Sequence, residues 1–88
     1  MTARDVAVYR SKRAVDMYLY VDETRDLMSL PEDLLKRFGT PVEAMRFKLA
    51  ANRSLARADA KLVLEAIATQ GFYLQLPPTL EGRSGDES

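Results

Sequence analysis

Four tyrosines are the side chains of this sequence best suited to binding chemistry. They lie in segments whose apolar and polar residues alternate as in β-strands. The alternation predicts one sheet face that also carries two bases, made of Ala7, Tyr9, Tyr18, Tyr20, Arg46, Lys48, Tyr73 and Gln75. Proteins that bind single-stranded RNA use such faces, because bases stack on the rings while cations meet phosphates. The alternative is structural, since tyrosine is favoured in strands and suits a sheet face that a helix partly covers.

A basic turn follows the first predicted strand. Arg10, Lys12 and Arg13 form a flexible basic tip that would extend the candidate binding face by contacting phosphate. The alternative is a solvated, charged turn. Ser11 beside Lys12 is not a nucleophile and base pair, because adjacent residues of an extended strand point to opposite faces.

Several kinds of active site are excluded by composition. The chain has no cysteine and no histidine, so it offers no thiol nucleophile, no histidine base and no Cys/His zinc site. Asp22, Glu23 and Asp26 carry the carboxylates that Mg²⁺ prefers, but an acidic loop of this kind is usually just solvated. We therefore expect a protein that is not an enzyme and that binds no cofactor or metal.

Charge is segregated along the chain although the net charge is zero. Residues 16–33 hold six acids and one base, and residues 36–61 hold seven bases and two acids. The two blocks would partly neutralise each other across the fold. Alternatively, the second block would form a basic face for an acidic partner.

Six elements are predicted in the order β-β-α-β-α-β. Strands are expected at residues 5–10, 17–21, 42–49 and 72–76. The first helix should begin with a capping box of Ser29 and Glu32 and end at Gly39 in a left-handed conformation. The second helix should begin within residues 55–59 and end at Gln70, with Gly71 as its cap.

The segment 71–78 (GFYLQLPP) is the most strongly marked part of the chain. A glycine and two prolines bound its strand, and we expect the other elements to pack around that strand. The predicted core face is apolar throughout and contains Val6, Val8, Leu19, Val21, Met45, Phe47, Phe72, Leu74 and Leu76.

These patterns predict an α+β fold in one compact domain, residues 1–78, with a four-stranded sheet and two helices. Residues 79–88 are rich in glycine, serine and acids, so we expect a disordered polar tail. The start lacks the apolar core of a signal peptide, and no run approaches the ~20 apolar residues of a membrane helix. We expect a soluble, cytoplasmic protein with no membrane partner.

Five segments in order resemble the YcgL domain family of bacterial proteins. They are residues 8–13 (VYRSKR), 18–21 (YLYV), 30–41 (LPEDLLKRFGTP), 55–59 (LARAD) and 71–78 (GFYLQLPP). The resemblance spans nearly the whole chain and implies an α/β/α sandwich. It implies no activity and no catalytic residue. Genes of the family often neighbour one for a ribonuclease D-type exoribonuclease, which points by association to RNA metabolism.

The sequence is therefore consistent with two functions. The first is a non-catalytic protein-interaction or adaptor module, which the charge segregation and the lack of catalytic side chains favour. The alternative is weak single-stranded RNA binding through the tyrosine and basic residues of the candidate face.

Overall fold

Four strands form one antiparallel sheet in the computed structural model, which describes residues 3–53, 55 and 58–76. The strands are β1 (Arg4–Ser11), β2 (Tyr18–Asp22), β3 (Pro41–Leu49) and β4 (Tyr73–Gln75). Their order across the sheet is β3-β1-β2-β4, so β1 and β2 are the central strands. Each predicted strand is confirmed with bounds that differ by one residue at each end or less, because alternation and turn residues mark strands locally.

Helix α1 (Glu32–Phe38) follows β2 through a short 3-10 helix (Leu27–Ser29). The predicted capping box is wrong. Ser29 belongs to the 3-10 helix, where its hydroxyl donates to the carbonyl of Asp26 at 2.5 Å. Pro31 is the N-cap of α1 and makes no side-chain capping bond. The acids in the first turn of α1 and the bases in its last turn still match the helix dipole.

Helix α2 (Ala60–Gln70) has a well-formed cap at each end. The Asp59 carboxylate accepts a hydrogen bond from the Lys61 amide at 2.9 Å. Gly71 is left-handed, with φ 96°, and its amide donates to the carbonyls of Ala66 and Ile67, as predicted. Gly39 also has positive φ, but its ψ of −159° is extended rather than left-handed.

The two helices pack on opposite faces of the sheet. Helix α2 buries a cluster on one face, made of Val6, Val8, Tyr20, Leu49, Ala60, Val63, Leu64 and Ile67. Helix α1 buries the other cluster, made of Ala7, Met17, Leu19, Val21, Leu30, Leu34 and Phe38. We call these the α2 face and the α1 face. This arrangement confirms the α+β fold in a single domain, with the sandwich of helix, sheet and helix.

The sheet is not organised around β4, contrary to the prediction. Strand β4 has three residues, lies at one edge and, among the described strands, pairs with β2 alone. The predicted core residues are also divided between the two faces, and Met45 and Leu76 are exposed. Periodicity within a strand does not encode its place in the sheet, which explains both errors. The predicted tail, residues 79–88, lies outside the described residues. Of the helices that the structure describes, none is long and apolar enough to span a bilayer.

Candidate functional site

The strand register places the tyrosines on two faces of the sheet. Val8 lies opposite Tyr20, which in turn lies opposite Tyr73, and Tyr18 points the same way. Tyr9 lies opposite Leu19 and packs against the α1 cluster. The predicted single tyrosine face is therefore wrong. The turn between β1 and β2 is too long to determine register from sequence, and a shift by one residue exchanges the faces.

The two bases of the candidate face lie on the α1 face. Arg46 is opposite Ala7, and Lys48 is opposite Asp5. Both side chains are exposed. They accompany Tyr9 and lie on the far side of the sheet from the other three tyrosines.

Tyr20 is part of the core. Its exposure is 8%, and its hydroxyl donates to Oε1 of the buried Gln75 at 3.1 Å. Its ring meets Tyr73 edge to face, with centroids 5.9 Å apart. Burial raises the pKa of the Tyr20 phenol, and Tyr73 and Tyr18 add to that rise. Tyr20 therefore presents no open ring on which a base could stack.

A cavity of about 350 Å³ lies on the α2 face, beside α2. It crosses all four strands and is lined by Val8, Asp16, Tyr18, Tyr20, Ala44, Met45, Phe47, Arg53, Leu55 and Gln75. Among the described residues, α2 contributes nothing to this lining, so this eleven-residue helix leaves that part of the face uncovered. The Arg53 guanidinium lies 4.5 Å from the centre of the Phe47 ring, a cation-π contact. Of the predicted site residues, the cavity brings together Tyr18 and Tyr20.

Sequence reasoning missed Arg53 and assigned Phe47 only to the core. The alternation along β3 is the sequence signal for Phe47, because it places Phe47 on the same face of the sheet as Met45. Arg53 lies in the loop after β3, where no periodicity predicts a direction for the side chain. The cavity depends on where α2 packs on the sheet, and the periodicity of the sequence does not specify that position.

The basic turn is attached to the end of α1. The buried hydroxyl of Ser11 donates to the Phe38 carbonyl at 2.5 Å and accepts from the amides of Arg13 and Ala14, each at 3.0 Å. Arg13 Nη1 donates to the Lys36 carbonyl at 2.8 Å. The turn is therefore tied to the helix at several points. A shallow depression there is lined by Lys12, Arg13, Leu35, Lys36, Gly39 and Thr40, whereas Arg10 borders a separate hollow with Tyr18.

Strand β3 is an edge strand with one irregularity. Val8 pairs with Met45 and Tyr9 pairs with Glu43, which leaves Ala44 as the extra residue of a β-bulge. Glu43 and Arg46 form a two-point ion pair on the α1 face. The hydrogen bonds from Arg46 hold the pKa of the Glu43 carboxyl below its usual value, and the same contact raises the pKa of Arg46.

The acidic loop directs two of its carboxylates to protein groups. Asp22 accepts hydrogen bonds from the side chain and amide of Thr24 at 2.6 and 2.9 Å, and from Arg4 at 3.1 Å. These contacts, with those from Thr24 the largest, lower the pKa of Asp22. Asp26 caps the 3-10 helix through the Met28 amide. Within the described ranges, no group of three or more acidic residues is placed to hold a metal ion.

Comparison with known proteins matches the YcgL domain over residues 6–78. The chain belongs to the YcgL domain family. It is 51% identical over 81 residues to a YcgL domain-containing protein of Chromohalobacter salexigens, covering 92% of this chain and 84% of that protein. It is 50% identical over 74 residues to a YcgL domain-containing protein of Serratia proteamaculans, covering 84% and 82%. These names specify the domain and no reaction, ligand or partner.

Proposed function

We propose that this YcgL domain is a non-catalytic protein-interaction module that binds an extended segment of a partner protein along β3. The observation that carries the proposal is the edge position of this nine-residue strand, which pairs with β1 alone among the described strands. An edge strand presents a row of backbone amides and carbonyls to a further strand. Strand addition of this kind is a recurring mode of peptide recognition.

Only part of β3 is suited to pairing. The bulge at Ala44 and the missing amide of Pro41 interrupt the first half of the strand. Residues 45–49 are regular and remain the stretch where a partner strand would add. Met45 in this stretch is 55% exposed, and Arg46 and Lys48 are exposed too. The other edge, β4, has three residues and is too short to compete.

The side chains along this edge also favour binding over catalysis. In residues 45–49 they are apolar, aromatic and basic, and the pKa of Arg46 is raised rather than brought towards neutrality. A proton-transfer group works best when its pKa lies near the working pH.

Selection from a phage-displayed library of random twelve-residue peptides tests the proposal. We expect enriched peptides whose NMR titration shifts the amides of residues 45–49 most. N-methylation of the alternate peptide amides that face β3 should weaken binding at least about tenfold, while methylation of the intervening amides should not. Peptides that shift other residues most, or that tolerate methylation at every amide, would contradict strand addition, as would a library that enriches nothing.

Single-stranded RNA binding stays an untested prediction. Its platform of four tyrosines with Arg46 and Lys48 is divided between two faces, so no continuous stacking surface supports it. Titration of a labelled single-stranded oligonucleotide at low salt is the direct measurement. Binding that weakens in Lys48→Ala, whose side chain is exposed, and in Tyr18→Ala, whose ring is half-buried, would favour the RNA function over the peptide function.

A further inference from the structure

We infer that the cavity beside β3 is a specificity pocket for one aromatic side chain of the bound segment, and that acidic residues flank that side chain. This inference rests on the proposed strand addition. It names the chemistry of the partner, which is an extended segment with acidic and apolar residues in alternation.

Geometry directs side chains of an added strand into the cavity. A strand that pairs with β3 lies about 4.8 Å beyond it, and every second side chain of that strand points to the α2 face. On that face, β3 itself contributes Met45 and Phe47 to the cavity wall. A side chain of the added strand next to these two residues therefore reaches the cavity mouth.

The chemistry of the cavity suits an aromatic ring. Its volume of about 350 Å³ lies at the lower end of the range of about 300–1,000 Å³ for small-molecule sites, so it fits one large side chain. Tyr18 and Phe47 provide ring surfaces for edge-to-face or offset contacts. Among the lining residues, the Tyr20 hydroxyl is already bonded to Gln75, so this pair does not require a polar ligand.

The intervening side chains of the added strand would meet bases. They point to the α1 face, where the outer strand carries Arg46 and Lys48. Among the described residues, Arg46 is ion-paired with Glu43, whereas Lys48 lies opposite Asp5 without forming an ion pair, so Lys48 is the base left to attract an acidic side chain. Opposite charges on neighbouring strands attract each other, and like charges repel. The strand also lies within the basic block at residues 36–61, which favours acidic residues on both sides of the aromatic one.

Capped tripeptides test the pocket apart from the strand pairing, because three residues are too few to form a stable ladder. We expect N-acetyl-Glu-Phe-Glu-amide to bind saturably with a millimolar Kd and to shift the side-chain NMR signals of Met45 and Leu55. N-acetyl-Lys-Phe-Lys-amide should bind about threefold more weakly at low salt. Lys48→Glu should remove the preference for the acidic tripeptide. Lys61→Glu, a substitution on α2, should leave that preference unchanged.

A matched pair of tyrosine variants locates the binding. Tyr18→Ala, in the cavity, should weaken the Glu-Phe-Glu peptide about fivefold, whereas Tyr9→Ala, on the α1 face, should not. If Tyr18→Ala lowers the melting temperature too far, the exposed Met45→Ala replaces it and should weaken the peptide in the same direction. Equal effects of the Tyr18 and Tyr9 variants, or equal affinity for acidic and basic tripeptides, would overturn the inference.

Other outcomes separate the two proposals. Library peptides that pair with β3 and carry no aromatic residue would overturn the pocket and leave strand addition standing. Tripeptide binding in the cavity, with no enrichment from the library, would show that the cavity binds an aromatic side chain but would overturn strand addition, and with it the role of the cavity in reading a paired strand. Binding that appears only after residues 79–88 are removed would assign the cavity to the chain's own C-terminal segment instead. If the protein forms a concentration-dependent dimer in which the amides of residues 45–49 are protected from hydrogen exchange, the cavity would be assigned to a second copy of the chain.

Discussion

Glu43 and Arg46 form a two-point ion pair although they lie three residues apart in one β-strand. Arg46 Nε donates to one carboxylate oxygen at 3.0 Å, and Nη2 donates to the other at 3.1 Å. Residues i and i+3 of a regular strand point to opposite faces. The bulge at Ala44 changes this relation, because the extra residue brings both side chains to the α1 face. The same bulge keeps Met45 on the cavity side, so it sets the arrangement of both proposed contact surfaces.

The Glu43 carboxyl should titrate below its usual pKa, and the shift should depend on Arg46. We expect Arg46→Gln to raise the pKa of Glu43 towards the ordinary value, because both hydrogen bonds to the carboxylate are lost. A carboxyl-detected NMR titration measures this value directly. Arg37→Gln is the control, since it removes a base of α1 that does not contact Glu43. An unchanged Glu43 pKa in Arg46→Gln would show that the ion pair does not form in solution.

Local signals were enough to predict the elements of this fold. Asp59 and Gly71 determine where α2 begins and ends, and both act through hydrogen bonds between near neighbours in the chain. The order of strands across the sheet depends on long-range packing, which local signals do not encode. The strong boundaries of β4 therefore indicated a central strand although it lies at an edge. The capping box failed because Asp26 competes locally and starts a 3-10 helix before Ser29 can cap α1.

The candidate site was predicted only in part, because it depends on register and on coverage by a helix. Tyr18 lies half-buried beside the cavity, and the alternation alone could not place Tyr9 on the other face of the sheet. Helix α2 packs against β2 and β4, and among the described residues it contributes nothing to the cavity lining near Met45. Neither Arg53 nor Leu55 carries a periodic signal, since both belong to the loop before α2.

Ser11 should contribute more to stability than any other serine that the structure describes. Its hydroxyl satisfies the Phe38 carbonyl and two amides of the following turn, and it is 6% exposed. Ser11→Ala leaves these groups without that partner, so we expect a loss of about 1–3 kcal/mol in the free energy of unfolding. Thermal and urea unfolding measure it. Ser29→Ala is the control and should change stability by less than about 0.5 kcal/mol, since Ser29 is exposed. Equal effects of the two variants would contradict the role of Ser11.

Tyr20→Phe should destabilise the fold although it removes only one heavy atom, the hydroxyl oxygen. The hydroxyl donates a hydrogen bond to Gln75, which is buried at 6% exposure, so we expect a cost of about 1–3 kcal/mol. Tyr18→Phe is the matched control, because the Tyr18 ring borders the cavity and remains half-buried. Chemical denaturation of both variants provides the comparison. A Tyr20→Phe variant as stable as the wild type would show that Gln75 finds another donor.

The same tyrosine makes the stability fall at high pH. Burial raises the folded-state pKa of Tyr20 above the unfolded value of about 10, so folding favours the neutral phenol. This contribution is fully present below pH ~10 and is lost as the pH rises through the folded-state pKa. The unfolding free energy of Tyr20→Phe should therefore decline less steeply above pH ~10 than that of the wild type. Parallel curves for the two proteins would contradict the raised pKa.

Gly71→Val should destabilise the protein through the backbone of the α2 cap. Gly71 has φ 96°, and a left-handed conformation costs an L-residue about 1–2 kcal/mol, with more for a β-branched side chain. An added Cβ would also lie 2.7 Å from Arg25 Nη1, but this atom ends a flexible side chain that can move. Gly71→Asn is the control and should cost less, because asparagine tolerates this conformation. Introducing Gly71→Val into an Arg25→Ala background should retain most of the loss in melting temperature, since the strain lies in the backbone. If Arg25→Ala restored stability instead, the contact with the guanidinium would be the dominant cost.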